Sequence, residues 1–275
     1  MKKTFGENHM NVTDLVKHGD MKFFELKHEP IEIMILKNHE ILCSGCGILK
    51  LYDQNFNLIK IIDKINGEKF FLSGISMNEE AKKIYISDIF YSDNHKIIMV
   101  DLDFNFIKSV GRLNLPSAVC YKNQRLYVAD NMNQRIKILS EDLECIQALS
   151  LEYYPCNLKA SNKILCVTSD YSEHHPTYLF FYDLSNLSLL QKYKHEYDRR
   201  ISEIDSHFYE FNSKMKKFFC YNQNGELTEE ILLKNVSSEF FNDHYDGNLV
   251  FFNGSLLMNL FQAKKIIKFS PKIVP

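Results

Sequence analysis

The fold is decided by residues 125–146, which read "RLYVADNMNQRIKILSEDLECI". The stretch contains an alternating run that ends at Asp130, a polar loop, a second run that begins at Arg135, a tight turn and a third run. Alternation with a period of two, in β-branched and aromatic residues, indicates β-strands. The stretch is therefore either one isolated hairpin or one copy of a repeat.

Relatives of its turn recur along the chain at a regular distance. They read "YDQNFNLI" from Tyr52, "VDLDFNFI" from Val100, "YDLSNLSLL" from Tyr182, "YNQNGELTEEI" from Tyr221 and, in degenerate form, "FQAKKII" from Phe261. With the turn at Leu139 they mark six units of about 40 residues, which is the pattern of a repeat array. Convincing amphipathic helices are absent from these units.

Four short strands in each of six units predict an all-β fold, a six-bladed β-propeller with four-stranded antiparallel blades. We expect one propeller over residues 30–275, with approximate blades at 30–63, 74–111, 116–150, 155–194, 201–234 and 239–270. Residues 1–29 form an N-terminal segment. The ring closes either by packing of the sixth blade on the first or by a further strand from residues 21–28. A β-sandwich is the alternative fold, but it gives no reason for the 40-residue spacing.

The best-preserved unit resembles an NHL repeat. Residues 115–149 match it at Pro116, Tyr127, Val128, Asp130, Asn131, Asn133, Arg135 and Ile136. The second unit keeps "KIYISD" to Asp88, and the fourth keeps Pro155 and "ILCVTSD" to Asp170. An Asp at a strand end can accept hydrogen bonds from loop N–H groups, and an Arg can pair with the neighbouring strand. Asp88, Asp130, Asp170 and Arg135 are therefore expected to be structural.

The NHL resemblance implies a binding platform, because members of that family mostly bind partners. We expect a non-catalytic scaffold without a cofactor, whose partner is a protein or peptide. The loops that join the second strand to the third, and the fourth strand to the next blade, share one face, called here the long-loop face. Aromatic and Arg side chains on such loops are typical of interaction hot spots. The candidates are Phe90, Tyr91, Tyr153, Tyr154, His174, His175, Tyr197, Arg199 and Arg200. The alternative for any one aromatic ring is packing between blades.

Two other functions stay open. Six-bladed lactonases and related hydrolases resemble this fold and hold calcium in the central channel, which suits oxygen ligands. That resemblance assigns calcium to the starts of the inner strands, at Glu32, Asn157, Glu203 and Asn242. Single-stranded RNA is the other alternative, because aromatic residues near Lys can stack on bases.

Composition narrows the class of partner and the compartment. The net charge of −2 argues against DNA, RNA and anionic membranes as dedicated partners. Residues 1–15 contain no apolar signal-peptide core, and no apolar run is long enough to cross a membrane. Seven scattered cysteines suit reduced thiols, and together these features predict a cytoplasmic protein. The sequence contains no G-x-S-x-G, P-loop or H-E-x-x-H motif, so an enzyme is not favoured.

Overall fold

The computed structural model describes residues 20–25, 31–36, 38–45, 47–90, 94–169, 177–195, 200–212, 215–233, 246–252, 255–260 and 264–270. They form six four-stranded antiparallel sheets. The predicted all-β, six-bladed β-propeller is therefore confirmed.

Each of the first five blades is a meander that runs from the inner strand to the outer strand. Blade one contains β2 Glu32–Ile35, β3 Ile41–Gly45, β4 Ile48–Tyr52 and β5 Leu58–Ile62. Blade two contains β6 Leu72–Asn78, β7 Lys83–Asp88, β8 Lys96–Asp101 and β9 Phe106–Val110. Blade three contains β10 Pro116–Lys122, β11 Arg125–Asp130, β12 Arg135–Ser140 and β13 Cys145–Ser150, with a 3-10 turn at Asn131–Asn133.

The remaining strands follow the same order until the ring closes. Blade four contains β14 Pro155–Ala160, β15 Ile164–Ser169, β16 Thr177–Asp183 and β17 Leu189–His195. Blade five contains β18 Ile201–Ile204, β19 His207–Asn212, β20 Lys217–Tyr221 and β21 Leu227–Leu232. Blade six contains β22 Asp246–Phe252, β23 Ser255–Leu260 and β24 Lys265–Ser270, and its outer strand is β1 Asp20–Glu25.

The N-terminal strand closes the ring. β1 pairs with β24 along its whole length, from Asp20 opposite Ser270 to Glu25 opposite Lys265. Of the two ways of closing the ring, the structure has the one that uses the N-terminal segment, at residues 20–25. Blade six therefore takes only three of its strands from the C-terminal part of the chain, and residues 239–245 lie outside the described residues.

The core lies between the blades, and the alternation of each strand serves two interfaces. In β11, Leu126 and Val128 pack with Tyr85 and Met99 of blade two. Tyr127 and Ala129, on the other side of the strand, pack in the core shared with blade four. A middle strand thus buries both of its faces, whereas the outer strand β13 is mostly exposed. Successive side chains on a strand point to opposite faces, which explains the period of two.

The repeated sequence motif is the turn between the third and fourth strands. In blade one, Asp53 Oδ1 accepts the N–H groups of Asn55 and Asn57, each at 2.8 Å. In blade five, Asn222 Oδ1 does the same for Asn224 and Glu226, at 2.9 and 3.0 Å. Asp101, Ser140 and Asp183 begin the equivalent turns. One short polar side chain in each turn fixes its shape, which is why the motif persists when the rest of a blade diverges.

One residue of each turn has a left-handed backbone. These residues are Phe56, Phe104, Leu143, Leu187 and Gly225, with φ between 59° and 75°. Phe104 and Leu143 are buried against the preceding blade. The left-handed conformation destabilises a non-glycine residue by about 1–2 kcal/mol. Burial of a large apolar side chain stabilises the fold by about 1.5–3 kcal/mol, which offsets that strain. In blade five, Phe181 of the preceding blade fills this space, and a Cβ on Gly225 would lie 2.6 Å from Phe181 Cγ.

We expect Gly225→Ala to destabilise the protein by about 2–5 kcal/mol, because left-handed strain adds to overpacking against Phe181. Gly67→Ala is a matched control, since Gly67 has φ of +78° and a Cβ there would meet nothing within 4 Å. It should cost about 1–2 kcal/mol from the backbone alone. Urea unfolding of both variants measures the difference, and equal losses would contradict the proposed contact.

The turn aspartates predict a pH dependence of stability. Hydrogen bonds from the side chains of Asn57, Asn105 and Ser185 lower the pKa values of Asp53, Asp101 and Asp183, respectively. A lowered folded-state pKa contributes stability that is present above the ordinary carboxyl pKa and is lost as the pH falls through the lowered value. Acid should therefore weaken these turns.

We expect the triple variant Asp53→Asn, Asp101→Asn and Asp183→Asn to lose less stability than the wild type between pH 7 and pH 3. Asn222 already begins the blade-five turn with a neutral amide. Urea midpoints at both pH values provide the measurement. A control variant with Asp63→Asn, Glu80→Gln and Glu152→Gln removes the same number of charges elsewhere. If both variants lose as much as the wild type, the turns do not cause the acid sensitivity.

Candidate functional site

The strand directions divide the propeller into two faces. The long-loop face carries the connections between second and third strands and between successive blades. The turn face carries the tight connections between first and second strands and between third and fourth strands. Each face therefore has a separate set of candidate residues.

A buried carboxylate organises the long-loop face at blade three. Asp130 is fully buried and accepts hydrogen bonds from the Asn114 N–H at 2.7 Å, Asn133 Nδ2 at 2.9 Å and Arg135 Nε at 2.6 Å. The loop that enters the blade is thus tied to the loop between β11 and β12. Asp88 plays a similar part in blade two, where one carboxylate oxygen accepts the N–H groups of Phe71 and Phe90. Asp170 lies outside the described residues.

These tied loops present large apolar side chains to solvent. The exposed fractions are 37% for Phe71, 37% for Leu115, 48% for Met132 and 43% for Tyr154. We call these four residues the apolar strip. Met132 donates its N–H to the Asn114 carbonyl at 3.0 Å, and Asn131 Nδ2 donates to the Pro155 carbonyl at 2.9 Å, so neighbouring loops hold one another. The strip therefore lies on loops of fixed geometry.

The exposed apolar residues differ between the two faces. Within the described ranges, the tight turns of the turn face expose no large apolar side chain. The other large apolar residues that the structure shows exposed are Met215, on the long-loop face of blade five, and residues of the outer strands around the rim. The long-loop face is thus the more apolar of the two faces among the described connections.

The predicted partner-binding residues have different environments. Tyr154 is exposed, Phe90 is half-buried, and Arg200 is half-buried just before β18. Tyr153 packs between blades three and four, where its ring stacks on Phe180 with centroids 4.0 Å apart and its hydroxyl meets that of Tyr182 at 2.9 Å. Burial raises the pKa of Tyr153. Tyr91, His174, His175, Tyr197 and Arg199 lie outside the described residues.

Leu115 and Met132 were not among the predicted binding residues, because aromatic and Arg residues guided that prediction. The available signal was, for Met132, an aliphatic side chain inside an otherwise polar connection between strands. Met132 has no apolar periodicity to satisfy there, so its exposure could have been inferred. Leu115 alternates with the buried Leu113, so its exposure could not. For Tyr153, the structure shows the alternative that the sequence left open for any aromatic ring, namely packing between blades.

The central channel forms a cup of about 600 Å³. Its lining comes from all of β2, from the middle of β6 and β22, from the ends of β10 and β14, and from β18 with the turn at Asp205 and Ser206. Inner strands run from the long-loop face to the turn face, so the ends of β10 and β14 and this turn place the mouth of the cup on the turn face. Glu32, at the start of β2, marks its deep end.

Two ion pairs lie in the cup. Lys159 of blade four pairs with Glu32 of the opposite blade one, and Glu32 Oε2 also accepts the Ile75 N–H at 3.1 Å. Burial of the Lys159 ammonium lowers its pKa, but the Glu32 carboxylate more than offsets this, and the pKa of Lys159 lies above its usual value. Lys122 Nζ lies 3.8 Å from Glu203 Oε2.

The residues proposed for calcium do not lie at one level of the channel. Glu32 and Asn157 occupy equivalent positions, opposite Ser44 and Thr168 of the adjacent strands. In blade five the strand register places Arg200 at that level, and Glu203 lies further along β18 beside Lys122. Asn157 Oδ1 is buried without a hydrogen-bond partner in the described part of the protein. Asn242 lies outside the described residues.

Asn248 occupies the equivalent position in blade six and bonds to the Ile33 backbone through both its amide oxygen and its amide nitrogen. It therefore joins blade six to blade one. Within the ranges that the structure describes, no group of three His, Cys, Asp or Glu side chains is arranged to hold a metal ion.

No family model matches this sequence. No curated protein matches it either. Among the helices of the described residues, none is long and apolar enough to span a membrane.

Several solved structures are similar to this one. Hydrazine synthase from Kuenenia stuttgartiensis superposes with a TM-score of 0.62 at 11% identity, over 86% of this chain and 75% of that chain. The β-propeller domain of Cps50 (Swd1) from Myceliophteria thermophila has a TM-score of 0.59 at 9% identity, over 92% of this chain and 100% of that chain. The Pan2 WD40 domain from Neurospora crassa has a TM-score of 0.58 at 10% identity, over 89% of this chain and 76% of that chain. At these identities the likeness shows the propeller fold alone.

We expect Lys159→Met to destabilise the protein by about 3–5 kcal/mol, because it leaves the buried Glu32 carboxylate without its cationic partner. Lys217→Met is the matched control, since Lys217 pairs with Glu230 at 2.9 Å near the surface. That variant should cost less than about 1 kcal/mol. Urea unfolding measures both variants. Losses of similar size would show that the cross-channel pair contributes no more than a surface pair.

Proposed function

We propose that this protein is a non-catalytic β-propeller scaffold that binds a protein or peptide partner through its long-loop face. The apolar strip carries the proposal, because a partner would remove its exposed apolar surface from water. The network of Asp130, Asn133 and Arg135 supports an NHL-like role for the best-preserved blade. It fixes the loops that carry Leu115 and Met132 before any partner arrives.

Rigidity of this kind favours binding. A partner that docks on ordered loops does not have to order them, so less of the binding free energy is lost to conformational entropy. The loops at Phe71 and Phe90 are fixed by Asp88, and those at Asn114 and Met132 are fixed by main-chain and Asp130 bonds. Tyr154 adds an aromatic ring with a polar hydroxyl, a common composition for a hot spot.

Neither alternative function, a calcium-dependent hydrolase or a protein that binds single-stranded RNA, is favoured. A calcium ion at Glu32 would have to displace the Lys159 ammonium, which already neutralises that carboxylate. A rise in melting temperature with calcium would favour the hydrolase. RNA binding would fall steeply with salt concentration, whereas binding through an apolar strip would not. We also propose a reducing, cytoplasmic location, which suits the free thiols of Cys43, Cys120, Cys145, Cys156, Cys166 and Cys220.

We expect the triple variant Leu115→Ser, Met132→Ser and Tyr154→Ser to lose partner binding at least about tenfold, since anchor residues dominate interface energies. Proteins that bind the immobilised wild-type chain would be quantified against this variant by mass spectrometry. Direct titration of the identified partner would then give the affinity. Melting temperatures should change little, because the altered side chains are substantially exposed.

The control variant carries Ile59→Thr, Ile107→Thr and Ile146→Thr. These residues have comparable exposure, at 51%, 46% and 48%, but lie on outer strands. The control should keep the partner. Equal loss in both variants would mean that apolar surface in general drives capture. Retention by the strip variant would place the partner elsewhere.

A further inference from the structure

We propose that the cup on the turn face binds a small organic carboxylate with an apolar body. This site lies in the channel and is separate from the long-loop face. The inference rests on the chemistry of the cup lining and does not depend on the proposed protein partner.

The lining of the cup is divided into two unlike halves. Blades six and one contribute Val250, Met34 and Ile35, which are only partly buried. Blades three, four and five contribute Lys122, Lys159, Ser202 and Glu203. The first side also carries Glu32, which is paired with Lys159, and Asn248, which is bonded to Ile33. A ligand that fills the cup therefore meets a mainly apolar wall on one side and a mainly charged wall on the other. Small-molecule pockets typically combine an apolar lining with a few polar groups that fix orientation.

Hydrogen-bond donors are available in the cup, on blades two, three and five. Lys122 Nζ reaches Glu203 only at 3.8 Å, and within the described ranges its ammonium makes no hydrogen bond. Ser76 Oγ accepts the Tyr121 N–H at 2.8 Å, and Ser202 Oγ accepts the Leu249 N–H at 2.7 Å. The protons of both hydroxyls find no acceptor among the residues described. These three groups can donate to an anion.

Each carboxylate inside the cup already accepts at least one hydrogen bond. Glu32 accepts hydrogen bonds from Lys159 and from the Ile75 N–H. Glu203 Oε1 accepts the Ser206 N–H at 2.8 Å, so Glu203 keeps a partner if Lys122 turns toward a ligand, and its Oε2 is then the one open carboxylate oxygen among the described residues of the interior. Asp205 lies exposed at the mouth, where water screens its charge. The interior thus offers more open donors than open acceptors, which favours a carboxylate over an amine.

Three probes separate the contributions of charge and apolar body. We would titrate 4-phenylbutyrate, 4-phenylbutylamine and acetate into the full chain by isothermal calorimetry. Phenylbutyrate should bind at least tenfold more tightly than either of the others. Equal binding of the amine would overturn the choice of a carboxylate. Equal binding of acetate would show that the apolar wall contributes nothing. No binding by phenylbutyrate to folded protein would also count against the proposal.

Substitutions locate the site. Lys122→Gln should weaken phenylbutyrate binding at least tenfold, and Met34→Gln should weaken it through the apolar wall. Lys163→Gln is the matched control, because Lys163 is an exposed lysine on the turn face outside the cup. It should leave the affinity unchanged, as should the strip variant Leu115→Ser, Met132→Ser and Tyr154→Ser. Melting temperatures would establish that each variant is folded. If Lys122→Gln bound as the wild type does, the proposed site would be wrong.

Discussion

Main-chain pairing between β1 and β24 is the constraint on which the rest of the structure depends. Five blades are continuous meanders, but blade six takes its outer strand from the other end of the chain. The hydrogen bonds of this pair therefore join residues about as distant in sequence as the described chain allows. Every core cluster lies between two blades, so each is complete only when its neighbours are in place. Formation of such distant contacts is slow compared with local pairing.

The sequence could predict the architecture because its strongest signal is local. In the described turns between third and fourth strands, a short polar residue bonds to the backbone two residues on, and in all of them except the Asp183 turn it also bonds four residues on, as Asp53 and Asn222 do. That chemistry recurs wherever the turn recurs. The sixth unit looked degenerate for a physical reason. Its fourth strand does not follow in sequence, so no such turn is needed to connect it. The copy assigned from Phe261 was wrong, because Phe261 comes between β23, which ends at Leu260, and β24, which are the second and third strands of the blade.

The channel was less predictable, because its side chains depend on register between blades that are distant in sequence. An error in aligning β18 moves Glu203 to the level that Arg200 occupies. Lys159 could not be paired with Glu32 from sequence, since the two residues are on opposite blades and meet only across the closed ring. On the long-loop face, Tyr153 and Tyr154 are adjacent in sequence, yet Tyr153 packs on Phe180 whereas Tyr154 is exposed to solvent. Residue type alone does not distinguish them.

The ring closure also decides how the molecule would be displayed on a tether. Asp20 lies opposite Ser270 in the paired strands, and both mark the turn-face ends of their strands. The two ends of the propeller thus emerge side by side on one face. A domain fused directly before Asp20 or directly after Ser270 would start from that face. The long-loop face would then point away from the support, accessible to large molecules, while access to the cup would depend on the length of the linker.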